Sequence, residues 1–498
     1  MGLKSFFGVQ YARWVNQQNA WWINNPIKAQ KKVFKSLMSK AEKTAFGKEH
    51  GFATISSYKD FKSAVPVRDY EGLKPYIKRA LDGEKDVLWK GLPLYFCKTS
   101  GTTSGTKYIP ISKDSMPYHL KGAKDAILSY VYETSCAGFL NGKNIFIQGS
   151  AELDYSKSAP LGRLSGIVAH HVPWYLQRDN TPNFETNCIE GWEEKIEAII
   201  EETISEKMTL ISGIPPWIQM YFERLKERTG KEIKDVFPNY SLMVYGGVNF
   251  EPYKKRFLEL VGKDVPSIET YPASEGFIAY QDKQDIEGLL LCVNHGIFYE
   301  FIEASLFFED KAERISLADV ELAKDYVVIL NTNAGLWGYN IGDTVRFVST
   351  SPYRVVVSGR IKHFTSAFGE HVIAKEVEEA LYGVVKKYDA IVSEFHVAPE
   401  VNPSNGLPYH EWFVEFRKQP NDMTSFSEDL DVAMQNQNTY YKDLIDGKIL
   451  KPLVIRKVQE NGFLKYMKSE GKLGGQNKPP RLANNRKLAN SLTLYIND

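Results

Sequence analysis

The chain has 498 residues, with 62 Lys and Arg against 61 Asp and Glu, 43% hydrophobic residues and 13% aromatic residues. This composition excludes intrinsic disorder, and the length predicts two or three domains of about 150 residues each. The net charge of +1 gives no general reason to expect a nucleic acid or membrane partner, because both require basic residues gathered on one face.

The four cysteines, Cys97, Cys136, Cys188 and Cys292, form no CxxC pair and no cluster with histidine at metal-binding spacing. A zinc site and a disulfide scaffold are therefore disfavoured, and we expect a cytoplasmic protein. No segment reaches the ~18 apolar residues that a membrane-spanning helix needs.

Two aromatic residues near the N-terminus, Trp21 and Trp22, allow two interpretations. They could anchor the chain at a membrane surface, but such pairs more often dock onto the body of the protein, which is what we expect. After them, Val33, Leu37 and Ala41 recur at helical spacing and predict an amphipathic helix from Pro26 to about Phe46.

The next elements alternate between strands and helices. Strands are predicted at 87–89, 92–97, 143–148 and 241–245, with helices at 115–134, 190–207 and 213–228. Pro215 and Pro216 lie just inside the start of the last helix, where proline is favoured. This alternation predicts an α/β core.

In the C-terminal third, the order of predicted strands and helices changes. A strand pair at 345–349 and 354–358 precedes Gly359-Arg360, where we place a domain boundary. Beyond it, helices at 375–388 and 425–441 and strands at 390–397, 411–417 and 453–457 are predicted. We therefore divide the chain into residues 1–358 and a small α+β domain of residues 359–498.

The first motif is the run of Thr, Ser and Gly from Thr99 to Lys107. Glycines bring backbone N–H groups close to an anion, hydroxyls add donors and Lys adds positive charge, so the run is suited to phosphate. It is not a Walker A loop, because Lys107 does not directly follow Gly105. A flexible turn is the alternative.

Two further motifs are weaker when each is taken alone. In Tyr271-Pro272-Ala273-Ser274-Glu275, the aromatic ring can stack on a base, the hydroxyl can bond a phosphoryl oxygen and the carboxylate can hold Mg²⁺. In Tyr339-Asn340-Ile341-Gly342-Asp343, the carboxylate can accept hydrogen bonds from both ribose hydroxyls. Ordinary turns remain the alternative for both segments.

Together, and in this order, the three motifs resemble the adenylate-forming superfamily and, within it, the auxin-responsive Gretchen Hagen family of acyl acid amido synthetases. The family's phosphate loop, YxxSE element and YRxGD element are similar to residues 99–105, 271–275 and 339–343, with Asn340 in place of Arg. The resemblance extends through 369–372 to 476–481. It implies an α/β fold with a large adenylate-forming N-terminal domain of mixed sheets and helices and a small, mobile α+β C-terminal domain that rotates about a hinge near 359–363.

The resemblance also implies roles for individual residues. The β and γ phosphates of ATP would be held by the loop, namely Thr99, Ser100, Gly101, Thr102, Thr103 and Gly105. The adenine would be surrounded by Gly246, Gly247 and Tyr271. Ser274 would contact the α phosphate, Glu275 would ligate Mg²⁺, Asp343 would hold the ribose and Arg360 would lie at the hinge.

The C-terminal domain would supply groups for the second half-reaction. His371 lies in a segment similar to the loop that enters the site at that stage, and a solvated loop histidine is the alternative. Lys478 and Arg481 could reach phosphate in one domain orientation, or belong to a solvated basic tail.

The acyl pocket is expected to lie beside the nucleotide. The family contacts its acyl acid through the regions that correspond to helix 115–134 and the turn at 213–217. The candidate substrate-binding residues are Met116, His119, Trp217 and Met220, although such residues belong to the core more often than to a pocket.

The resemblance implies an ATP- and Mg²⁺-dependent ligase. It would adenylate a small carboxylic acid and transfer the acyl group to an amine, for which an amino acid is expected. A ligase that forms a coenzyme A thioester and a non-catalytic nucleotide-binding protein are the alternatives. The identity of the acid and the oligomeric state do not follow from the sequence.

Overall fold

The computed structural model describes most of the chain, and helices and strands are labelled here in chain order. The described ranges are 3–99, 106–173, 177–189, 191–248, 250–307, 312–361, 364–365, 367–370, 372–470 and 479–496. The α-helices are α1 (Leu3–Asn24), α2 (Pro26–Ala41), α3 (Ala45–Glu49), α4 (Tyr58–Ala64), α5 (Tyr70–Leu81), α6 (Met116–Thr134), α7 (Leu164–Ala169), α8 (Phe184–Cys188), α9 (Trp192–Thr203), α10 (Pro215–Thr229), α11 (Ile233–Val236), α12 (Glu251–Val261), α13 (Ala374–Lys387), α14 (Met423–Gln437), α15 (Thr439–Asp446), α16 (Gly462–Ser469) and α17 (Lys487–Leu492). The strands are β1 (Tyr95–Thr99), β2 (Lys107–Ile111), β3 (Lys143–Phe146), β4 (Leu161–Gly162), β5 (Asn180–Thr181), β6 (Met208–Gly213), β7 (Leu242–Gly246), β8 (Ser267–Ala273), β9 (Gly276–Tyr280), β10 (Leu289–Leu291), β11 (Ile297–Glu303), β12 (Arg314–Ser316), β13 (Asp325–Thr332), β14 (Tyr339–Thr350), β15 (Tyr353–Arg360), β16 (Phe364–Thr365), β17 (Val372–Ile373), β18 (Ile391–Glu400), β19 (Tyr409–Lys418) and β20 (Val454–Val458).

A twelve-stranded mixed sheet organises the first 360 residues. Its order is β12-β11-β13-β14-β15-β10-β9-β8-β7-β6-β3-β5. Strands β5, β3, β6, β7 and β8 run parallel, and helices connect them as in βαβ units. From β8 onward each neighbouring pair is antiparallel. The mixed α/β architecture confirms the predicted fold class.

Several predicted helices are present because their local signals are strong. Helix α10 begins with Pro215 and Pro216 in its first turn, and Gly230, whose φ of +67° suits glycine, directly follows its last residue. Helices α6, α9 and α13 also match their predicted segments within a few residues. Proline placement was therefore a reliable guide to the start of α10.

The strand predicted at 87–89 is wrong. These residues lie in an irregular loop that Asp86 closes, because its backbone N–H donates to the Gly91 carbonyl at 3.0 Å and its carboxylate accepts from the Gly91 N–H at 2.7 Å. The loop inserts Val87, Leu88 and Trp89 into the core, where each is buried. The apolar run therefore reflects burial of these three side chains in the core and does not indicate a strand.

Two predicted helices are each divided by a side-chain cap. The first ends at Ala41, and Thr44 then starts α3 by accepting a hydrogen bond from the Gly47 N–H at 3.0 Å. The helix predicted at 425–441 ends at Gln437, and Asn438 caps α15 by accepting from the Tyr441 N–H at 2.8 Å. In both cases a capping residue starts a new helix, although the helical periodicity predicts one continuous helix.

Helix α1 was not predicted, although it contains 22 residues. Val9, Ala12, Val15 and Trp22 form its buried side, whereas Trp21 is exposed. The expectation that the tryptophan pair docks onto the protein therefore holds for Trp22 alone. Among the described residues, no helix has the length and hydrophobicity to cross a bilayer.

The C-terminal region forms a separate three-stranded sheet in the order β18-β19-β20. Helices α13 and α14 pack together beside it. A hydrophobic cluster joins this region to the parallel half of the large sheet, with Tyr253, Phe257, Phe368 and Val372 among its buried members. The boundary at 358/359 and rotation of residues 359–498 stay predictions.

Candidate functional site

Two of the three motifs are joined by a hydrogen bond. The Tyr271 hydroxyl donates to Asp343 Oδ2 at 2.5 Å, across 72 residues of sequence. Strands β9, β10 and β15 lie between β8 and β14 in the sheet order, so a flat sheet would separate these backbones by about 19 Å. The sheet is therefore curved, and its curvature brings the two side chains together.

The Tyr271–Glu275 segment also contacts the strand that leads into the phosphate loop. The Cys97 thiol in β1 donates to Ser274 Oγ at 3.1 Å. Burial raises the pKa of the Cys97 thiol to about 12, so it stays protonated and can donate. Thr99 ends β1 two residues later and is half-buried. The remaining predicted loop residues lie outside the described residues, namely Ser100, Gly101, Thr102, Thr103 and Gly105.

Ser274 and Glu275 form the turn between β8 and β9, and both are half-buried. The next residue, Gly276, has a φ of +159°, and a Cβ there would lie 2.6 Å from Ile297 Cδ1. The turn therefore closes tightly at Gly276. Ser274 and Glu275 therefore lie together at the end of the strand that carries Tyr271.

Two glycines follow one another next to Tyr271. Gly246 ends β7 and pairs with Thr270 in β8, and a Cβ on Gly246 would collide with the Thr270 carbonyl oxygen. Gly247 has a φ of +83°, and its Cβ would lie 3.4 Å from Ile214 Cγ2. Gly246 therefore lets β7 pack closely on β8 beside Tyr271, and Gly247 lies against the residue that precedes α10.

The third motif lies within β14 and not in a simple turn. Asn340 Oδ1 accepts from the Gly342 N–H at 2.8 Å, and Gly342 has a φ of +86°. Asn340 therefore stabilises a local kink, a role that an arginine, having no acceptor, could not fill. Asp343 pairs through its main chain with Arg360 in β15, which places the candidate hinge residue next to the candidate ribose ligand.

The acyl-pocket candidates on α10 lie beside the glycine pair. Ile214, directly before α10, contacts the position of a Gly247 Cβ, and Trp217 follows in the first turn. Trp217 and Met220 are half-buried and pack against the hydrophobic cluster of the parallel half. Their substrate-binding role stays a prediction.

The candidates on α6 are buried more deeply. Met116 and His119 are 3% and 4% exposed and face the core. Burial lowers the pKa of His119 to about 4, so the imidazole is neutral near pH 7. One turn later, Gly122 packs so closely on Phe277 of β9 that a Cβ would collide with the ring. Helix α6 therefore lies against the strand that follows Glu275.

Residues 367–370 lie against Ile214, the residue directly before α10. The Tyr253 hydroxyl donates to the Ala367 carbonyl at 2.5 Å, and a Cβ on Gly369 would lie 3.3 Å from Ile214 Cδ1. Glu370 is fully buried and accepts hydrogen bonds from the Phe368 N–H at 2.8 Å and from His410 Nε2 at 2.9 Å. His371 and Lys478 lie outside the described residues.

A second contact joins the C-terminal region to β1. Arg163 forms an ion pair with Asp443 at 2.7 Å, and its guanidinium lies 5.0 Å from the centre of the Tyr440 ring. The Tyr440 hydroxyl donates to the Lys98 carbonyl at 3.4 Å. Since Lys98 directly precedes Thr99, this contact lies at the base of the phosphate loop.

Two basic candidates are engaged elsewhere. Lys107 starts β2, and its Nζ lies 5.8 Å from the centre of the Tyr70 ring. Arg481 donates to Glu378 at 2.9 Å within the C-terminal region. Their phosphate roles stay predictions.

Family models match nearly the whole chain. The GH3 family N-terminal domain matches residues 21–150 and 144–266, the GH3 family central domain matches 290–360 and the GH3 family C-terminal domain matches 374–487. The chain belongs to the GH3 family. The assignment made from the three motifs is thereby confirmed.

Curated relatives of this GH3 protein are named as amido synthetases or as jasmonoyl--L-amino acid synthetases. An indole-3-acetic acid-amido synthetase GH3.3 of Arabidopsis thaliana is 22% identical over 91% of this chain and 88% of its own length. A jasmonoyl--L-amino acid synthetase JAR4 of Nicotiana attenuata is 22% identical over 64% of this chain and 66% of its own length. These names support the sequence-based prediction of an adenylate-forming acid–amino acid ligase.

Solved structures share the fold. The AtGH3.15 acyl acid amido synthetase in complex with 2,4-DB has a TM-score of 0.61 at 15% identity, covering 97% of this chain and 96% of that one. A 2-hydroxyisobutyryl-CoA ligase in complex with 2-HIB-AMP and CoA, in the thioesterification state, has a TM-score of 0.60 at 13% identity, covering 94% and 91%. The GH3 chain therefore has an architecture found in both amide-forming and thioester-forming ligases.

Sequence reasoning missed the contacts that hold the GH3 site together. Cys97 was noted only as one of four scattered cysteines, yet it contacts Ser274. Tyr440 and Asp443 carried no local signal, because their partners Lys98 and Arg163 are about 280 or more residues away. Glu370 lies in the quoted 369–372 segment, where its carboxylate beside a glycine could have suggested a buried anchor.

Proposed function

We propose that this GH3 protein is an ATP- and Mg²⁺-dependent ligase that activates a small carboxylic acid as its acyl adenylate and transfers the acyl group to an amino acid. The observation that carries the proposal is the 2.5 Å hydrogen bond from Tyr271 to Asp343. It joins two motifs from distant parts of the chain, and Ser274, in the same turn as Glu275, contacts the strand that enters the third.

The nucleotide would lie along the edge formed by Gly246, Gly247 and Tyr271. Glycine has no side chain, so the flat base would approach the backbone closely there, and the Tyr271 ring would supply an aromatic face. Asp343 accepts from Tyr271 through Oδ2, and carboxylates can also accept from ribose hydroxyls. Tyr271 thus orients Asp343 as well as flanking the base.

The triphosphate would extend from this edge toward Thr99. Carboxylate attack at the α phosphorus expels pyrophosphate, so the protein must mainly hold the reactants in line and supply N–H or positive character. Ser274 lies at the junction of the two segments and would donate to the α phosphate. The Ser/Thr/Gly loop at 99–105 would supply the remaining donors.

The donor set fits a magnesium ion that arrives with the nucleotide. Among the described residues, no group of three or more His, Cys, Asp or Glu is arranged to hold a metal. Mg²⁺ needs only one or two protein carboxylates when phosphates complete its shell, and Glu275 would be that ligand. When bound, the ion would neutralise charge that develops on the phosphates.

The second half-reaction would use residues 359–498. The segment 367–370 packs on Ile214, which also borders Gly247, and α10 with Trp217 and Met220 starts there. An acyl group near Trp217 would therefore face the C-terminal region. His371, the next residue in the chain, and Lys478 would act on the amine when the C-terminal region is in this orientation. Rotation near 359–363 would switch the C-terminal region between this orientation and the one used for adenylation.

Acid-dependent exchange of labelled pyrophosphate into ATP tests adenylation. We expect exchange with at least one acid of a broad carboxylic-acid panel, and its loss in Glu275→Ala with retention in Glu460→Ala as the matched control. Product masses with an amino acid mixture, compared with coenzyme A, then distinguish amide from thioester formation. ATP binding without exchange across the panel would contradict the proposal and favour a non-catalytic nucleotide-binding protein.

A further inference from the structure

Helix α1 presents a row of aromatic side chains to solvent. Phe7, Tyr11, Trp14 and Trp21 are spaced by four, three and seven residues, so they lie on one side of the helix. Their exposed fractions are 61%, 44%, 55% and 43%, and the neighbouring Phe6 is 52% exposed. These five residues are called the aromatic stripe.

Helix α1 packs against the protein through its other side, so the exposed stripe does not result from an undocked helix. The opposite side of α1 is buried, including Val9 at 8% exposure and Trp22 at 2%. Trp22 Nε1 also donates to Asn19 Oδ1 at 3.0 Å, and Asn19 in turn bonds Asp125 of α6 at 2.9 Å. The helix is therefore fixed in an orientation that leaves the aromatic stripe outside.

The same part of the chain concentrates positive charge. Residues 1–41 contain seven Lys and Arg and no Asp or Glu. The remaining residues contain 55 basic and 61 acidic side chains, so the net charge of +1 hides two regions of opposite sign. The seven cations, all exposed, are Lys4, Arg13, Lys28, Lys31, Lys32, Lys35 and Lys40.

Cations border the stripe directly. Lys32 of α2 lies 4.0 Å from the centre of the Trp21 ring, and Lys124 of α6 lies 5.9 Å from the centre of the Tyr11 ring. Lys4 and Lys40 pair with Asp179 and Asp114. Within the described ranges, the structure shows no ion pair for Arg13, Lys28, Lys31 or Lys35, so most of this charge is not neutralised by the protein itself.

We propose that α1 and α2 form a docking surface for an anionic lipid membrane. Exposed Trp, Tyr and Phe rings favour the headgroup region of a bilayer, and the surrounding lysines are attracted to anionic headgroups. Helix α1 would lie parallel to the membrane plane with the stripe inserted. The whole-chain charge, on which the expectation of no membrane partner rested, conceals this local surplus.

A second copy of this chain is a poorer occupant of the surface. A two-fold dimer brings the same patch of each protomer together. The cations of residues 1–41 would then face the same cations of the partner, and, in the part of the chain that the structure describes, only Lys4 and Lys40 are paired with acidic residues, Asp179 and Asp114. An anionic lipid surface satisfies both the rings and the charge.

Vesicle flotation of the full chain tests the surface. With vesicles of phosphatidylcholine and phosphatidylglycerol at 7:3, we expect at least tenfold tighter binding than to phosphatidylcholine alone. Raising NaCl from 50 to 300 mM should weaken this binding at least fivefold, since exposed charges are screened. Equal binding to both vesicle types would overturn the proposal, and so would salt-independent binding.

Substitutions in α1 and α2 test whether these two helices carry the binding to vesicles. W14S/W21S and, separately, K28Q/K31Q/K35Q should each weaken binding to the anionic vesicles at least tenfold, while melting temperature stays unchanged because all five side chains are exposed. L464S, which alters an exposed apolar residue in α16, should bind like the parent. Unchanged vesicle binding in both sets would overturn the proposal, as would a parent dimer that W14S/W21S dissociates without any vesicle binding.

Discussion

At the scale of single residues, the hydrogen bond from Tyr271 to Asp343 is the contact on which nucleotide binding depends. Tyr271→Phe keeps the ring and removes the hydroxyl that donates to the carboxylate. A hydrogen bond to a charged group contributes about 1.5–3 kcal/mol, so we expect the KM for ATP to rise about 10- to 100-fold. The KM for the acid should change less than twofold in steady-state assays.

The control for this substitution is Tyr155→Phe, because Tyr155 is 73% exposed. It should leave both KM values unchanged. A Tyr271→Phe enzyme with the parent KM for ATP would show that the hydrogen bond does not orient the ribose ligand.

A second prediction at this scale concerns His119, which lies in the core with a pKa lowered to about 4 by burial. The unfolded chain binds a proton near pH 6.5 and the folded chain does not, so the stability from this group is complete above pH 6.5 and falls as pH decreases toward 4. On acidification from pH 7.5 to 5, the titration of His119 alone should lower the free energy of unfolding by about 2 kcal/mol.

Urea unfolding of the parent and of His119→Phe at both pH values measures this loss. The parent should lose about 2 kcal/mol more than the variant on acidification. An equal loss in the two proteins would mean that His119 does not titrate as a buried, neutral imidazole.

At the scale of elements, the segment 367–370 links the two halves of the proposed reaction. Glu370 holds it through Phe368 and His410, and Gly369 brings it onto Ile214. Since this segment is expected to act only in acyl transfer, Glu370→Gln should lower amide formation at least tenfold and leave pyrophosphate exchange within twofold of the parent. Both rates are measured on one preparation.

The control is Lys418→Gln, which removes an exposed ion pair with Asp389 in the same region and should alter neither rate. A fall in both rates for Glu370→Gln would indicate general destabilisation, and an unchanged rate of amide formation would show that this carboxylate does not position the transfer segment.

Elements were predictable from the sequence where local chemistry determines them. Pro215-Pro216 and Gly230 define α10 without any tertiary information. The run at 87–89 was misassigned because burial of Val87, Leu88 and Trp89 in a loop produces the same apolar pattern as a strand. Helix α1 was missed because its outer face carries aromatic residues where charged ones mark a typical surface helix.

At the scale of the whole molecule, the site depends on contacts that local sequence does not encode. Motif resemblance named Tyr271 and Asp343, but only curvature of the twelve-stranded sheet explains how residues 72 apart meet. Likewise, the contacts of Asp443 with Arg163 and of Gly369 with Ile214 join segments more than 150 residues apart. Such pairings follow from the packed fold and not from residue spacing.

The central claim is that the acid is activated at the α phosphorus of ATP and then passed to an amine. In that route one carboxylate oxygen forms the bond to phosphorus and stays on AMP when the amine displaces it. Turnover with an acid carrying ¹⁸O in its carboxyl group therefore tests the claim by mass spectrometry of the nucleotide products. We predict AMP with one ¹⁸O per amide formed; unlabelled AMP, or ADP together with ¹⁸O-labelled inorganic phosphate, would contradict it.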